Sequence, residues 1–200
     1  MSWAIVTLLN IFGIIIGLFL FWRRLKEDYI ENQIFSVAFL SIFIFIAFYF
    51  ISRVFFQKWI FWLPLIGSYG VLILLGKKLG MRIFEVADAA VIAYLGWFSV
   101  NSVIFLIQLK NIQSLILVIT NLVFLFAFFL IDSQYKRIPW YRSGRTGFTG
   151  MFILGLFFLI RAAVALLAPD MLIFLLEYDI FISGVISFIS FLMIFNLARI

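Results

Sequence analysis

Long runs of apolar residues, separated by short polar stretches, form the main pattern of this chain. The runs cover residues 3–22, 33–56, 59–76, 83–107, 115–131, 148–168 and 180–197. Most are long enough to cross a hydrocarbon core about 30 Å thick, since a helix rises about 1.5 Å per residue. Their length and continuity indicate helices, because membrane barrels show short alternating strands. The pattern predicts an all-α fold, a polytopic membrane protein whose seven-helix transmembrane domain covers residues 1–200.

The basic residues between the runs predict an orientation. Most of the Lys and Arg residues fall in connections that share one side of the membrane, namely Arg23, Arg24, Lys26, Lys77, Lys78, Arg82, Lys136, Arg137, Arg142, Arg145 and Arg199. The opposite side receives only Lys58, Lys110 and the borderline Arg53. Because cytoplasmic loops carry the excess of positive charge, we expect the N-terminus outside and the C-terminus in the cytoplasm. The first run lacks a signal-peptide cleavage pattern and is interpreted as a retained span.

Composition narrows the possible chemistry. The net charge is +6, but the cations face anionic headgroups from the loops, so a membrane partner is expected and nucleic acid is not. The chain has no Cys and no His, which removes thiol nucleophiles, imidazole bases and most zinc or copper sites. We therefore expect no metal and no cofactor.

Arg161 is the most informative polar residue inside a run. It lies well within the sixth span, about 20 Å above the cytoplasmic boundary. Because an Arg at the centre of a membrane helix costs about 2.5–3.5 kcal/mol, it should face the bundle or a wet cavity and pair with another group. The alternative is that it extends along its own helix to the outer interface.

Other polar side chains fall in the same outer half of the bilayer. They are Tyr69 in the third span, Asn101 and Ser102 in the fourth, Asn121 in the fifth, and Arg53 near the outer end of the second. Either they line one cavity, or they make the ordinary hydrogen bonds of helix packing. Glu85 and Asp88 begin the fourth span beside Arg82, which favours helix capping and salt bridges over catalysis.

Several short segments resemble the bacterial prolipoprotein diacylglyceryl transferases, which have seven spans and an outside N-terminus. Residues 61–67 (Phe-Trp-Leu-Pro-Leu-Ile-Gly) with Asp88 are similar to that family's Phe-His-Gly-Gly-Leu-Ile-Gly segment and following Asp. Arg145-Thr146-Gly147, followed by Arg161, resembles its Arg/Lys-Pro-Gly stretch and sixth-helix Arg. Ser52-Arg53 and Ser183-Gly184-Val185 stand where the family has Gly-Ala-Arg-Leu and Met-Gly-Gln.

The resemblance implies transfer of a diacylglyceryl group from phosphatidylglycerol to a cysteine of a lipoprotein precursor, in the bacterial inner membrane. The departures fall on the family's reactive groups: Trp62 stands at its His, Ser102 at an Arg, and Ala165 and Ala168 replace a Glu and a second Arg. The first-helix Tyr is replaced by Ala4. The surviving cations suit a lipid phosphate, but Arg cannot deprotonate a thiol.

Three hypotheses follow for the function. The first is a transferase-like protein in which Arg53, Arg161, Asn101 and Ser102 hold the lipid phosphate and Tyr69 is the candidate for proton transfer. The precursor's signal helix would then be a partner. The second is a non-catalytic membrane module that binds anionic phospholipid or a partner transmembrane helix. The third, a transporter or channel, has the least support, since no span carries a carboxylate near its middle.

Overall fold

The computed structural model describes residues 3–138, 141, 147–171 and 177–199. This part of the chain contains α-helices, short 3₁₀ turns and connections, and no β-strand. The α-helices are α1 Trp3–Leu25, α2 Glu31–Phe55, α3 Trp62–Lys78, α4 Ile83–Leu109, α5 Ile112–Gln134, α6 Phe148–Leu167 and α7 Asp179–Arg199. Pro139, Trp140, Arg142 and Arg145, which the sequence places in the connection before α6, lie outside the described residues.

The predictions of an all-helical fold and of helices long and apolar enough to cross a membrane are confirmed. Among the described residues, six helices, α1, α2, α4, α5, α6 and α7, are long and apolar enough to cross a membrane. Helix α3 has 17 residues and is about 26 Å long. It is thus slightly short of a hydrocarbon core of about 30 Å. Large apolar side chains such as Phe43, Phe126 and Phe188 lie exposed, as expected for surfaces that face lipid.

Local signals explain where several helices start and stop. Asn111 caps α5, since its side chain accepts a hydrogen bond from the backbone N–H of Ser114 at 2.9 Å. Helix α3 ends at Lys78, and Gly80, two residues later, has a φ of +77°, in the left-handed region that only glycine adopts easily. The backbone N–H of Met81 then returns to the carbonyl of Gly76 at 2.8 Å, closing a glycine C-cap.

Helix α4 occupies the centre of the bundle and packs against α1, α3, α5 and α6. Small residues let its neighbours approach closely. A Cβ added at Gly150 of α6 would lie 2.5 Å from the Cα of Asp88, and one added at Gly17 of α1 would lie 3.1 Å from the carbonyl oxygen of Ala93. Gly13 and Gly17, a GxxxG match, therefore pack against α4 of the same chain.

Successive helices alternate in direction, so the connections gather at two ends of the bundle. At the Arg161 end, where α1, α3, α5 and α7 begin, Lys58 Nζ lies 2.7 Å from Glu177 Oε1. At the Arg24 end, where α2, α4 and α6 begin, Gln33 Nε2 donates to the carbonyl of Leu79 at 3.0 Å. We use these two names for the ends below.

The α1–α2 connection is tied to the start of α4 by Tyr29. Its hydroxyl donates to Glu85 and accepts from the backbone N–H of Arg82 at 2.9 Å. Burial, and then the hydrogen bond to Glu85, raise the pKa of Tyr29 to about 12. Arg82 also contacts Glu85, with NH1 3.1 Å from Oε1. The sequence's expectation of local salt bridges at the start of α4 is confirmed for Glu85.

Asp88 instead joins an ionic network that spans four helices. Its carboxylate is fully buried and accepts from Arg24 Nε of α1 at 2.6 Å and from the backbone N–H of Gly150 in α6. The same guanidinium holds Asp132 of α5 bidentately, at 2.8 and 2.6 Å. The pattern of basic residues indicated only a role for Arg24 in membrane orientation. In the structure, its side chain connects α1, α4 and α5 at the Arg24 end.

We expect Arg24→Ala to lower the free energy of unfolding by about 3–5 kcal/mol, because it leaves the buried Asp88 carboxylate without its cation. Arg23→Ala removes the same charge from the neighbouring, exposed position and should change stability by less than about 0.5 kcal/mol. Denaturant titration of both variants in detergent micelles measures the difference. Equal losses in the two variants would contradict a structural role for the network.

Candidate functional site

A cavity of about 660 Å³ lies between α1, α2 and α4. This volume falls within the range of about 300–1,000 Å³ that is typical of small-molecule sites. The walls are formed by parts of three helices, Val6 to Phe21 of α1, Ala38 to Tyr49 of α2 and Ala90 to Gln108 of α4, with Ile60, Phe61 and Leu72. We call this space the α1–α2–α4 cavity.

The lining is apolar over most of its length and polar toward the Arg161 end. The deeper part is formed by residues such as Phe21, Ala38 and Ala90. Toward the Arg161 end, the side chains of Asn10, Asn101, Gln108 and Tyr49 join the lining. No Asp, Glu, Lys or Arg is among the described residues that line it. The site is thus shaped for an apolar chain, and the amide side chains of its lining lie toward one end.

Arg53 lies one helical turn beyond this polar end. It follows Tyr49, the last lining residue of α2, by four positions, which places both residues on one face of the helix. Its side chain is exposed, and no described residue makes an ion pair or hydrogen bond with it. A guanidinium without a carboxylate partner can hold a phosphate bidentately.

Arg161 lies elsewhere, in a buried ion pair between α6 and α7. Its Nε and NH2 donate to the two carboxylate oxygens of Asp179 at 2.9 and 2.6 Å. Asp179 is fully buried and also accepts from Ser183 Oγ at 3.0 Å and from Trp62 Nε1 at 3.4 Å. The expectation that Arg161 faces the bundle and pairs with another group is confirmed.

Aromatic rings separate this ion pair from the α1–α2–α4 cavity. The guanidinium of Arg161 lies 4.4 Å from the ring centroid of Phe61 and 5.6 Å from that of Trp62, distances typical of cation–π contacts. Phe61 also lines the cavity, whereas neither Arg161 nor Arg53 does. The structure thus does not bring the two arginines together in one cavity.

The other predicted site residues also separate. Asn101 lines the cavity, but Ser102 is buried in the next position and donates to the carbonyl of Ser99 at 2.8 Å. Tyr69 is half-buried and packs against apolar core residues such as Leu72 and Ala87. The assignment of Asn101 and Ser102 to phosphate binding and of Tyr69 to proton transfer stays a prediction. The structure does not bring these three side chains together in one site.

Sequence reasoning did not single out Asp179 or Asn10. Asp179 is the first residue of α7, immediately before the predicted span 180–197, where an acidic residue is easily assigned to the interface. Its signal was Arg161, a cation at a similar depth in the sixth span that needs a partner. Asn10 is a single amide in an apolar run, and the sequence alone indicates no function for it. Only the packing of α1 against α4 places it in the cavity lining.

We expect Arg161→Ala and Asp179→Ala each to cost about 3–5 kcal/mol of stability, since either leaves a buried charge unpaired. The double variant Arg161→Met/Asp179→Leu should lose much less than the sum of the single losses, because apolar replacement of a buried pair is often nearly neutral. Unfolding in detergent measures this coupling. Additive losses would show that the two side chains do not act as a pair.

Comparisons of the chain with protein-family models, with curated proteins and with solved structures give no match. The resemblance to the diacylglyceryl transferases therefore stays a prediction from the short segments that carry it. The site has to be interpreted from its own geometry, which combines an apolar cavity, a polar end and an unpaired cation one turn beyond.

Proposed function

We propose that this protein is a multi-pass protein of the bacterial plasma membrane that binds one anionic phospholipid, such as phosphatidylglycerol, without converting it. The observation that carries the proposal is the α1–α2–α4 cavity of about 660 Å³, apolar along its length and followed by Arg53. An acyl chain fits the apolar part and is held there by van der Waals packing, because a chain drawn from the bilayer already lies in hydrocarbon. The phosphate then lies within reach of the Arg53 guanidinium.

A partner transmembrane helix is a poorer occupant of this cavity. An α-helix with its side chains is about 10–12 Å in diameter, so a space of about 660 Å³ would hold only about one and a half turns. A single acyl chain is thinner and flexible, and it can follow the lining from the polar end to the deep end. The volume therefore favours a lipid.

Diacylglyceryl transfer, the activity that the resemblance implies, receives no chemical support from the described lining. Transfer to a cysteine needs a group that removes the thiol proton, and the lining contains no carboxylate or amine. Tyrosine and amide side chains remain, and neither is a base at neutral pH. An assay with phosphatidylglycerol and a lipoprotein-precursor peptide tests the activity directly. Formation of lipidated peptide would contradict the proposal of binding without conversion and show that the protein is a transferase.

The orientation belongs to the same proposal, with the N-terminus and the Arg161 end outside. It is supported by the excess of Lys and Arg in the connections at the Arg24 end, including Arg23, Lys77 and Lys78. In this orientation the polar end of the cavity and Arg53 lie in the outer leaflet. The bound phospholipid would then be drawn from that leaflet.

Single cysteines can test the orientation cleanly, since the chain has none of its own. We expect a membrane-impermeant maleimide to label Lys110→Cys from outside intact cells, and to label Lys78→Cys only after the cells are opened. Both positions are exposed, Lys110 in the α4–α5 connection and Lys78 at the end of α3. The reverse pattern would put Arg53 and the polar end in the cytoplasmic leaflet.

Lipid retention tests the binding site. We expect Arg53→Ala to reduce retained phosphatidylglycerol severalfold in native mass spectrometry, because it removes the cation at the phosphate. Ile42→Trp should reduce it further, since Ile42 lines the cavity and the larger ring fills part of it.

Two matched controls accompany these variants. Arg23→Ala removes an exposed Arg at the opposite end, and Leu40→Trp adds the same ring at an exposed position of α2 that is not part of the lining. Both should retain lipid like the unmodified protein. If Ile42→Trp retains as much lipid as Leu40→Trp, the cavity is not the binding site.

A further inference from the structure

Two asparagines form the polar level of the α1–α2–α4 cavity. Asn10 of α1 and Asn101 of α4 both line it. Each donates one N–H to the carbonyl four residues earlier in its own helix, Asn10 Nδ2 to Val6 at 2.8 Å and Asn101 Nδ2 to Trp97 at 3.0 Å. The same internal bond holds both amides beside their helices.

The packing of α1 against α4 places these amides at the same height. A Cβ added at Gly13 would lie 2.9 Å from Trp97 Cδ1 and 3.3 Å from Val100 Cβ, and one at Gly17 would lie 3.1 Å from the Ala93 carbonyl oxygen. The helices are antiparallel, so a step toward the start of α1 is a step toward the end of α4. Asn10 is therefore level with residues 100–103, which include Asn101.

Each amide keeps hydrogen-bonding capacity after its internal bond. A carboxamide has two N–H donors and an acceptor oxygen, and no second bond to a described residue satisfies the remaining N–H of either asparagine. Trp97, which lines the same cavity one turn deeper, has an indole N–H that is buried without a partner in the described part of the chain. Unpaired donors in an apolar space favour an occupant with acceptors at this depth.

The height of the asparagines relative to Arg53 indicates which acceptors these are. Helix α2 runs parallel to α4, and the ring of Phe45 lies 4.9 Å from that of Trp97 and 6.5 Å from that of Tyr94. Asn101 is thus level with residues 49–52 of α2, and Arg53 lies about 2–6 Å further along the axis. In a glycerophospholipid, only the glycerol unit separates the phosphate from the ester carbonyls.

We propose that Asn10 and Asn101 donate hydrogen bonds to the ester carbonyls of the bound phospholipid, so that the site selects ester-linked over ether-linked lipid. This inference rests on the proposed phospholipid binding. An ether-linked lipid of the same headgroup and chain length lacks the carbonyl oxygens and leaves the amide donors unpaired. Arg53 contacts the phosphate in either case, so it does not distinguish the two linkages, whereas donors at the level of the ester groups do.

Competition between diester and diether phosphatidylglycerol of equal chain length tests the proposal, with the bound ratio measured by native mass spectrometry. We expect the unmodified protein to prefer the diester by at least about threefold to tenfold, since each of the two net hydrogen bonds contributes a factor of about this size. Asn10→Leu/Asn101→Leu, which keeps the branched shape of the side chains and removes their donors, should bring the ratio close to one. A unimodal elution profile on size exclusion shows that the variant is folded.

Ser41→Ala is the matched control. Ser41 lines the same cavity, but its hydroxyl hydrogen is already donated to the carbonyl of Val37 at 2.7 Å, so the ester preference should remain. A preference that persists in the double asparagine variant overturns the assignment of the donors. Equal binding of both lipids by the unmodified protein overturns the selectivity and leaves phospholipid binding intact. Binding of neither lipid overturns the proposed function itself.

Discussion

The fully buried carboxylate of Asp88 sets the packing of this bundle. A carboxylate taken out of water must be paired and hydrogen-bonded, and Asp88 obtains its partners from Arg24 of α1 and from the backbone of Gly150 in α6. Both bonds require close approach of α1 and α6 to α4, and glycine at position 150 permits it. Since Arg24 also holds Asp132 of α5, one guanidinium fixes the order of the helices at this end.

The α1–α2–α4 cavity follows from that arrangement. Helix α1 is held against α4 by Arg24 and by the close contacts of Gly13 and Gly17. Helix α2 packs mainly on α3, and it makes few contacts with α1. Because α1 packs on α4 and α2 packs on α3, a crevice remains between α1 and α2. Aromatic side chains of α4 line this crevice. In a bilayer such a crevice is accessible to lipid chains, because the solvent there is itself hydrocarbon.

The sequence predicted the helices well and the site only in part. Runs of apolar residues locate membrane helices because hydrocarbon forces every backbone group to bond within its own helix, and this gave each helix boundary to within about three residues. The need of Arg161 for a partner followed from the same energetics. The identity of that partner did not, since Asp179 and Arg161 lie on different helices whose rotation about their axes depends on packing. The depth of a residue can be counted from the sequence, but the rotation of its helix about the helix axis cannot.

The two arginines at the Arg161 end show why rotation decides function. Arg161 and Arg53 both lie toward the Arg161 end of their helices, yet Asp179 neutralises the first while the second lacks a partner among the described residues. The Arg161–Asp179 pair is a buried dipole, whereas the Arg53 guanidinium is exposed and lies one helical turn beyond the polar end of the cavity. Under the proposed function, the exposed arginine would attract the anionic headgroup. The buried one contributes by fixing α7 against α6 and by holding Phe61 in the cavity wall.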